Sequence, residues 1–499
     1  MTDNRTEAKA FSTPLMDELC VIIPTYNNAG TLADVVKGTL KYVPHVIVVN
    51  DGSTDNTGAI LKKLPKQVTI VSYLKNRGKG HALVKGFKKA KELGYRYAIT
   101  IDSDGQHLPE DIPALVRAEE ENPGSIIIGS RILAGKDIAK SSLFANKFSN
   151  FWFTVQTARN LPDTQTGYRL YPLHKLYWTS LITSRYESEL ELLVFAEWNN
   201  TKIVPVPINV FYPPREERIS HFRPGYDFTR ISILNTILCL GAVLYGYPCK
   251  LLRFTRTVLY TIFAILIFLI GTPLMTIFSY LFFAFSRKND RTKLRYHKIL
   301  CGVSRGLIRM IPGTKLRIKN KYKEKFDKPS VIISNHQSQF DLLCIMMLTP
   351  KLVILTKDWV WKNPLFGKIV KFADYYPVSN GIENCLEHLK NVVDKGYSVM
   401  IFPEGTRSAD CSILRFHQGA FYIAEELGLD IVPVFIHGAG HVLAKKKKYL
   451  RKGKIYIEID RRISAKSTKF GRNPREKRSG YENYYKKKYR TIKAKEGYE

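Results

Sequence analysis

Two short segments hold residue types whose order suggests chemistry before any element is placed. Asp102-Ser103-Asp104-Gly105-Gln106-His107 puts two carboxylates and a carboxamide in one stretch. Oxygen donors of this kind suit Mg²⁺ or Mn²⁺, hard cations that keep substrate phosphates in their shell. An isolated Asp-x-Asp is more often a solvated turn, so its meaning depends on what converges with it. Asn335-His336-Gln337-Ser338-Gln339-Phe340-Asp341 sets a carboxylate five residues after a histidine. With His336 in a loop and Asp341 in the first helical turns, the two can meet as a general base oriented by an acid. Downstream, Phe402-Pro403-Glu404-Gly405-Thr406-Arg407-Ser408 supplies an acid, a glycine and a guanidinium suited to phosphate.

These segments need strands to aim them. Residues 19–24, 45–50, 97–101 and 125–129 are short, branched apolar runs, with stretches of helical period at 31–41 and 80–93. Continuous apolar strands alternating with helices predict a parallel sheet covered on both faces. Residues 1–230 are therefore expected to form a doubly wound α/β domain. Ligands of such sheets bind at the carboxyl ends of the strands. Three more polar clusters end strands or follow them there: Pro24-Thr25-Tyr26-Asn27-Asn28, Asn50-Asp51-Gly52-Ser53-Thr54-Asp55 and Asn76-Arg77-Gly78-Lys79-Gly80. A second α/β pattern spans 287–465, with strands expected at 330–334, 352–355, 398–402 and 431–435.

Between the two patterns, residues 231–286 change character. Segments 231–249 and 257–285 carry no charged side chain, and each is long enough to be a membrane-spanning candidate. Lys250, Arg253 and Arg256 separate them, and Gly271-Thr272-Pro273 is a possible kink or hairpin point. Two arrangements fit: two crossings, or an interfacial 231–249 followed by a re-entrant 257–285. Residues 466–499 are basic, Tyr-rich and poor in aliphatics, and are expected to form a solvated or membrane-facing tail. The run Lys445–Lys448 reads as a solvated loop, with a headgroup contact as the alternative.

The 499 residues carry a formal charge of +33. Together with the apolar stretches this points to membrane lipids with anionic headgroups rather than to nucleic acid, none of whose binding motifs is present. Seven scattered cysteines, never paired as Cys-x-x-Cys, form neither a disulfide framework nor a zinc site. The polar start, Met1-Thr2-Asp3-Asn4, carries no signal-peptide pattern.

On its four clusters the first pattern resembles a family 2 glycosyltransferase of GT-A fold, of the polyprenyl-phosphate sugar synthase branch. Gly129-Ser130-Arg131, Thr166-Gly167-Tyr168-Arg169-Leu170, Tyr186–Glu191 and Glu217–Pro224 extend the resemblance. It implies that Pro24, Tyr26 and Asp51 line a nucleoside pocket. By the same resemblance Asp102, Asp104 and Gln106 hold the metal on the diphosphate of a nucleotide sugar, and Arg131 and Arg169 meet phosphates. Asn50 stands where many relatives have a second Asp. In-line displacement would invert the anomeric centre. A hydroxyl acceptor would need a base, Glu189 or Glu187, whereas a lipid phosphate would need none; a structural helix-start cluster is the alternative for these glutamates.

The second pattern resembles the glycerolipid acyltransferases of lysophosphatidic acid type, on Asn-His-x₄-Asp and Phe-Pro-Glu-Gly-Thr-Arg-Ser. Lys357, Asn363–Gly367 and Val432-Pro433-Val434 support it. The resemblance implies that His336 deprotonates an acceptor hydroxyl that attacks an acyl thioester, with Asp341 orienting the imidazole. Glu404, Gly405 and Arg407 would position the acceptor. Residues 374–381 lack the arginine that many relatives place there. Nucleotide sugars and acyl-CoA or acyl carrier protein are cytosolic, so a membrane enzyme with both catalytic domains facing the cytoplasm is expected. The alternative is a single catalytic domain beside a lipid-binding scaffold.

Overall fold

A computed structural model of the chain describes residues 15–131, 140–176, 181–211, 224–287, 289–377 and 385–497. Residues 217–223 of the Glu217–Pro224 motif, and 378–381 of the stretch without arginine, lie outside them. The chain divides into two compact units, 1–252 and 253–499.

The first unit is built on seven strands: β1 (Leu19–Thr25), β2 (Val46–Asp51), β3 (Thr69–Tyr73), β4 (Tyr97–Thr100), β5 (Ile126–Arg131), β6 (Arg169–Pro172) and β7 (Ile203–Ile208). Their order is β3-β2-β1-β4-β6-β5-β7, with β6 antiparallel to both neighbours and the other pairs parallel. All seven residues of β1 are buried. Alternation sends Cys20 and Ile22 into one core, and Leu19, Val21 and Ile23 into the other. The chain runs outward from β1 to β2 and β3, then returns to place β4 on the opposite side. This switch opens the crevice in which ligands of such sheets bind.

The second unit has β8 (Thr314–Asn320), β9 (Ser330–Ser334), β10 (Leu352–Thr356), β11 (Tyr376–Pro377), β12 (Ser398–Ile401), β13 (Asp430–His437) and β14 (Gly453–Ile459). The order is β11-β10-β12-β9-β13-β14-β8, and only the β13–β14 pair is antiparallel. The expected tail is instead part of this unit. Pro474–Glu496 is a helix capped by the Asn473 side chain, and Tyr481, Tyr485, Tyr489 and Ile492 enter the core. Their four- and three-residue spacing forms one helical stripe, which the surrounding lysines conceal in a count of composition.

The central segment also departs from expectation. Among the described residues one helix is long and apolar enough to cross a membrane, Phe228–Ala284, where two separate ones were expected. Lys250, Arg253 and Arg256 interrupt its hydropathy, but charge does not stop a helix. A π-helical turn at Ala242–Gly246 is the only irregularity within it. There Trp198 comes so close that a Cβ on Gly246 would lie 2.5 Å from its Nε1. Pro273 lies inside the helix and produces no hairpin. Beyond it, Thr276 Oγ1 donates to Leu365 O at 2.8 Å, and Ser279 and Tyr296 share a 2.7 Å hydrogen bond.

Candidate active sites

The four polar clusters of the first unit close into a ring. Asn27 Oδ1 accepts from Thr54 N at 2.8 Å, joining the first cluster to the second. Asn28 Nδ2 donates to Ser103 Oγ at 2.8 Å, joining the first to the fourth. Asp51 accepts from the main-chain N–H groups of Arg77 and Gly78, both at 2.8 Å, joining the second to the third. Lys79 Nζ lies 2.7 Å from Asp102, joining the third to the fourth, and 3.1 Å from Glu189. Lys79 begins the helix Lys79–Glu92, and Glu189 is in the first turn of Ser188–Trp198. Two helix starts therefore aim a cation and a carboxylate at the end of β4.

Electrostatics divides the two aspartates. Burial pushes Asp102 up, but Lys79 and His107 outweigh it and hold the carboxyl below its usual range. Asp104 is raised, by burial first and then by the Asp102 charge. That mutual repulsion is one a divalent cation would relieve, so the pair fits Mg²⁺ or Mn²⁺. Gln106 is on the same turn, and its N–H donates to Asp104 Oδ1 at 3.0 Å. No three His, Cys, Asp or Glu side chains converge as metal ligands among the described residues, so substrate and water oxygens would complete a shell. Burial pushes His107 down to about 4, leaving a neutral imidazole 3.8 Å from Asp102.

Geometry separates the three glutamates of the Tyr186–Glu191 motif. Glu191 is fully buried and accepts from Ile182 N, Thr183 N and Thr183 Oγ1. Glu187 pairs with Arg230. Only Glu189 faces the cluster, and its Oε1 is buried without a partner.

Two expected ligand contacts need correction. Arg169 is fully buried, and its guanidinium donates to Thr166 O, Thr164 O, Glu189 O and Tyr171 Oη. It is a strut behind the site with no face for phosphate. Asp51 is 3 % exposed, with both oxygens engaged by the Arg77–Gly78 turn. It ties two loops and presents almost no surface to a base. Pro24 is buried within β1, paired in register with Val49, while Tyr26 is half-buried at the strand's mouth. Arg131 at the end of β5 forms a double contact with Asp163, at 2.6 and 3.0 Å.

In the second unit, His336 Nδ1 lies 3.0 Å from Asp341 Oδ2. The same oxygen accepts from Gln337 N at 2.5 Å and Ser338 N at 2.7 Å. Asp341 is fully buried in the first turn of Phe340–Met346, whereas the His336 side chain is 17 % exposed. The imidazole stacks on Phe402, 4.0 Å between centroids. Nδ1–H directed to Asp341 leaves Nε2 as the proton acceptor.

Glu404 also departs from its expected role. It is 2 % exposed; Oε1 accepts from His336 N at 3.0 Å and Oε2 from Leu414 N at 3.1 Å. It clamps the histidine loop to its neighbour and does not face an acceptor. Gly405 is exposed with φ +62°, under the His417 ring. Arg407 is half-buried with no ion-pair partner among the described residues, and its carbonyl accepts from Lys445 Nζ at 2.6 Å.

The family model described as Glycosyl transferase family 2 matches residues 20–175. UDP-N-acetylglucosamine--dolichyl-phosphate N-acetylglucosaminyltransferase of Methanococcus voltae is 32 % identical over 214 residues, covering 38 % of this chain and 85 % of the relative. The chain belongs to glycosyl transferase family 2. Beyond this glycosyltransferase region, residues 315–437 match a second family model, Acyltransferase. A 1-acyl-sn-glycerol-3-phosphate acyltransferase of Chlamydomonas reinhardtii is 30 % identical over 143 residues, 28 % of this chain and 43 % of the relative. The chain thus spans less than half of that relative. The solved 1-acyl-sn-glycerophosphate acyltransferase of Thermotoga maritima is 21 % identical, with TM-score 0.43, covering 48 % of this chain and 97 % of that one.

Within the glycosyltransferase unit the residue missed by sequence reasoning is Lys79. It belongs to the third polar cluster, but nothing in the sequence tells a surface lysine from one held between two carboxylates. In the acyltransferase-like unit the misread residue is Glu404, and its environment makes a prediction. Burial raises its carboxyl from 4.5 to about 7, partly opposed by the His336 and Leu414 N–H groups. A raised carboxyl favours the folded state fully below 4.5, and that contribution is lost as pH rises through 7. Denaturation of the wild type and Glu404→Gln across this window is expected to show their stability difference changing by about 3 kcal/mol, to the disadvantage of the wild type at higher pH.

Proposed function

We propose that this chain is a bifunctional membrane transferase. One unit moves a sugar from a nucleotide sugar to a lipid-linked acceptor; the other moves an acyl group from an acyl thioester to a lipid hydroxyl. The observation that carries the reading is that both reactive clusters are complete in one chain: Lys79–Asp102–Glu189 beside Asp104, and His336–Asp341.

In the first reaction an acceptor oxygen attacks the anomeric carbon as the bond to the nucleoside diphosphate breaks, inverting that centre. A divalent cation held by Asp102 and Asp104, with Gln106 nearby, would supply charge neutralisation to the leaving diphosphate. Lys79 adds a fixed positive charge in the same crevice. A polyprenyl-phosphate acceptor, as the name of the Methanococcus relative suggests, is already anionic. Glu189 then holds Lys79 in place. With a hydroxyl acceptor, its unpartnered Oε1 would take the proton.

In the second reaction His336 Nε2 removes the proton of a lipid hydroxyl, whose oxygen attacks the thioester carbonyl. The thiolate leaves and recovers the proton, and an ester remains. Asp341 holds Nδ1–H and stabilises the imidazolium between these steps. Arg407 would meet an acceptor phosphate.

The long helix supports membrane attachment. Between 253 and 284 one stripe packs on its own unit: Thr261 accepts from Leu450 N at 2.9 Å, Phe268 meets Phe366, and Phe283 stacks on Phe372 at 4.7 Å. The other side exposes Leu259, Leu266, Ile270, Leu274, Ile277 and Leu281. A helix packed along one side and apolar on the other suits lying in the bilayer surface. Both sites would then face the cytoplasm, where nucleotide sugars and acyl-CoA or acyl carrier protein are found. The product would be an acylated glycolipid or a related envelope lipid. Purified chain given labelled nucleotide sugars, acyl thioesters and a total lipid extract is expected to yield lipid products carrying each label. A product set carrying only one label would leave one unit as a scaffold and overturn the bifunctional reading.

A further inference from the structure

The helix Pro474–Glu496 lies beyond the residues that match the Acyltransferase family model, and the reaction proposed above does not use it. We infer that the Tyr489 hydroxyl on this helix is a positioning group for the His336–Asp341 pair, acting through Gln337. The inference rests on reading the second unit as an acyltransferase.

The hydrogen-bond directions follow from the end of the network inward. His437 is fully buried, and its Nε2 lies 2.8 Å from Gly497 O, an atom that can only accept. Nε2 therefore carries the hydrogen, and Nδ1 accepts from Tyr489 Oη at 3.0 Å. Burial pushes His437 down to about 4, so the neutral ring this requires persists at neutral pH. With its hydrogen so directed, Tyr489 Oη accepts from Gln337 Nε2 at 2.5 Å. Gln337 Nε2 also donates to Cys411 O at 2.9 Å. The side chain next to the catalytic histidine is thus held from two sides. Its main-chain N–H donates to Asp341 Oδ2, the oxygen that faces His336 Nδ1.

Two further contacts of the helix reach the same loops. Tyr485 Oη donates to Ile333 O at 2.8 Å, three residues before His336. Glu482 Oε2 accepts from Phe416 N at 3.0 Å, next to the His417 whose ring lies beside Gly405. The helix therefore touches the chain before His336, the residue after it, and the loop facing it. A helix serving only to cover the core would need its apolar stripe, not a hydroxyl placed on Gln337.

The test is Tyr489→Phe in the full-length chain, which keeps the ring and removes one oxygen. Amide exchange at Gln337 and Ser338 is expected to speed up about tenfold, with exchange in β13 and β14 unchanged. The kcat of acyl transfer should fall by a similar factor while KM for the thioester and sugar transfer stay the same. Adding Tyr489→Phe to Gln337→Ala should cause no further loss, since both act through one contact. Unchanged exchange at 337–338, or faster exchange spread evenly over residues 314–497, would overturn the inference. A wild type that consumes no thioester would instead sink the acyltransferase reading, and the exchange measurement would still decide the role of Tyr489.

Discussion

Asp341→Asn is expected to lower acyl transfer by about three to four orders of magnitude while leaving sugar transfer unchanged. The size follows from what one oxygen does. Asp341 Oδ2 faces His336 Nδ1 and accepts from the N–H groups of Gln337 and Ser338, on a side chain that is itself fully buried. An asparagine that keeps its oxygen toward these donors loses the charge that stabilises the imidazolium. Its NH₂ then falls where Asp341 Oδ1 is buried without a partner. An asparagine turned the other way opposes three donors with two more, and favours the wrong imidazole tautomer. Comparable removal of a carboxylate behind a histidine base costs about 10⁴-fold in kcat. KM for the thioester should change little, because Asp341 touches neither substrate. Initial rates with labelled acyl thioester and labelled nucleotide sugar, measured on one preparation, check both halves. A fall in both would indicate general unfolding, and a fall below tenfold in acyl transfer would rule out the oriented-base mechanism.

How much of this could be read from the residues varies with the physical signal each leaves. β1, β2, β9 and β13 are buried on both faces, so their branched apolar runs stand out in the sequence. The His336–Asp341 contact was legible because five residues suffice to pass from a loop into the next helix. β6 was not foreseen: four residues containing Arg169 and Pro172 carry no strand signal, and the strand exists because β4 and β5 pair with it on either side. Arg169 illustrates a deeper limit. A guanidinium in a motif reads as a phosphate ligand, yet here main-chain carbonyls take most of its hydrogen bonds, and no side-chain pattern announces a carbonyl. Glu404 was misread for the same reason with the roles reversed, its partners being main-chain N–H groups. The helix at 474–496 was hidden by averaging. Its tyrosine stripe is regular, but the lysines and arginines between make the segment resemble a solvated tail.

The same dependence on main chain gives the second large effect, at a residue with no side chain. A methyl group at Gly167 is expected to reduce sugar transfer by about 100-fold without unfolding the glycosyltransferase unit. Its Cβ would lie 2.6 Å from Lys79 Nζ, 2.8 Å from Asp102 Oδ2 and 3.1 Å from Glu189 Oε1. All three are side-chain ends, so they can move, and the fold has little reason to collapse. Lys79 Nζ is also the atom that links the third loop cluster to the fourth, through the other oxygen of Asp102. Forcing Lys79 aside would leave Asp102 without its 2.7 Å counter-charge and Glu189 with a second oxygen unpaired in a buried site. Removing one fixed electrostatic group from an active site costs about 10²–10³-fold in kcat, which sets the scale. Gly167→Ala and Lys79→Met should therefore fall to similar rates, and the double substitution should be little worse than either alone. Rates near wild type for Gly167→Ala, or fully additive losses in the double variant, would mean that the Lys79–Asp102–Glu189 cluster does not act as a unit. Acyl transfer in the same samples normalises for the amount of chain, and an unchanged thermal unfolding of the glycosyltransferase unit checks its fold.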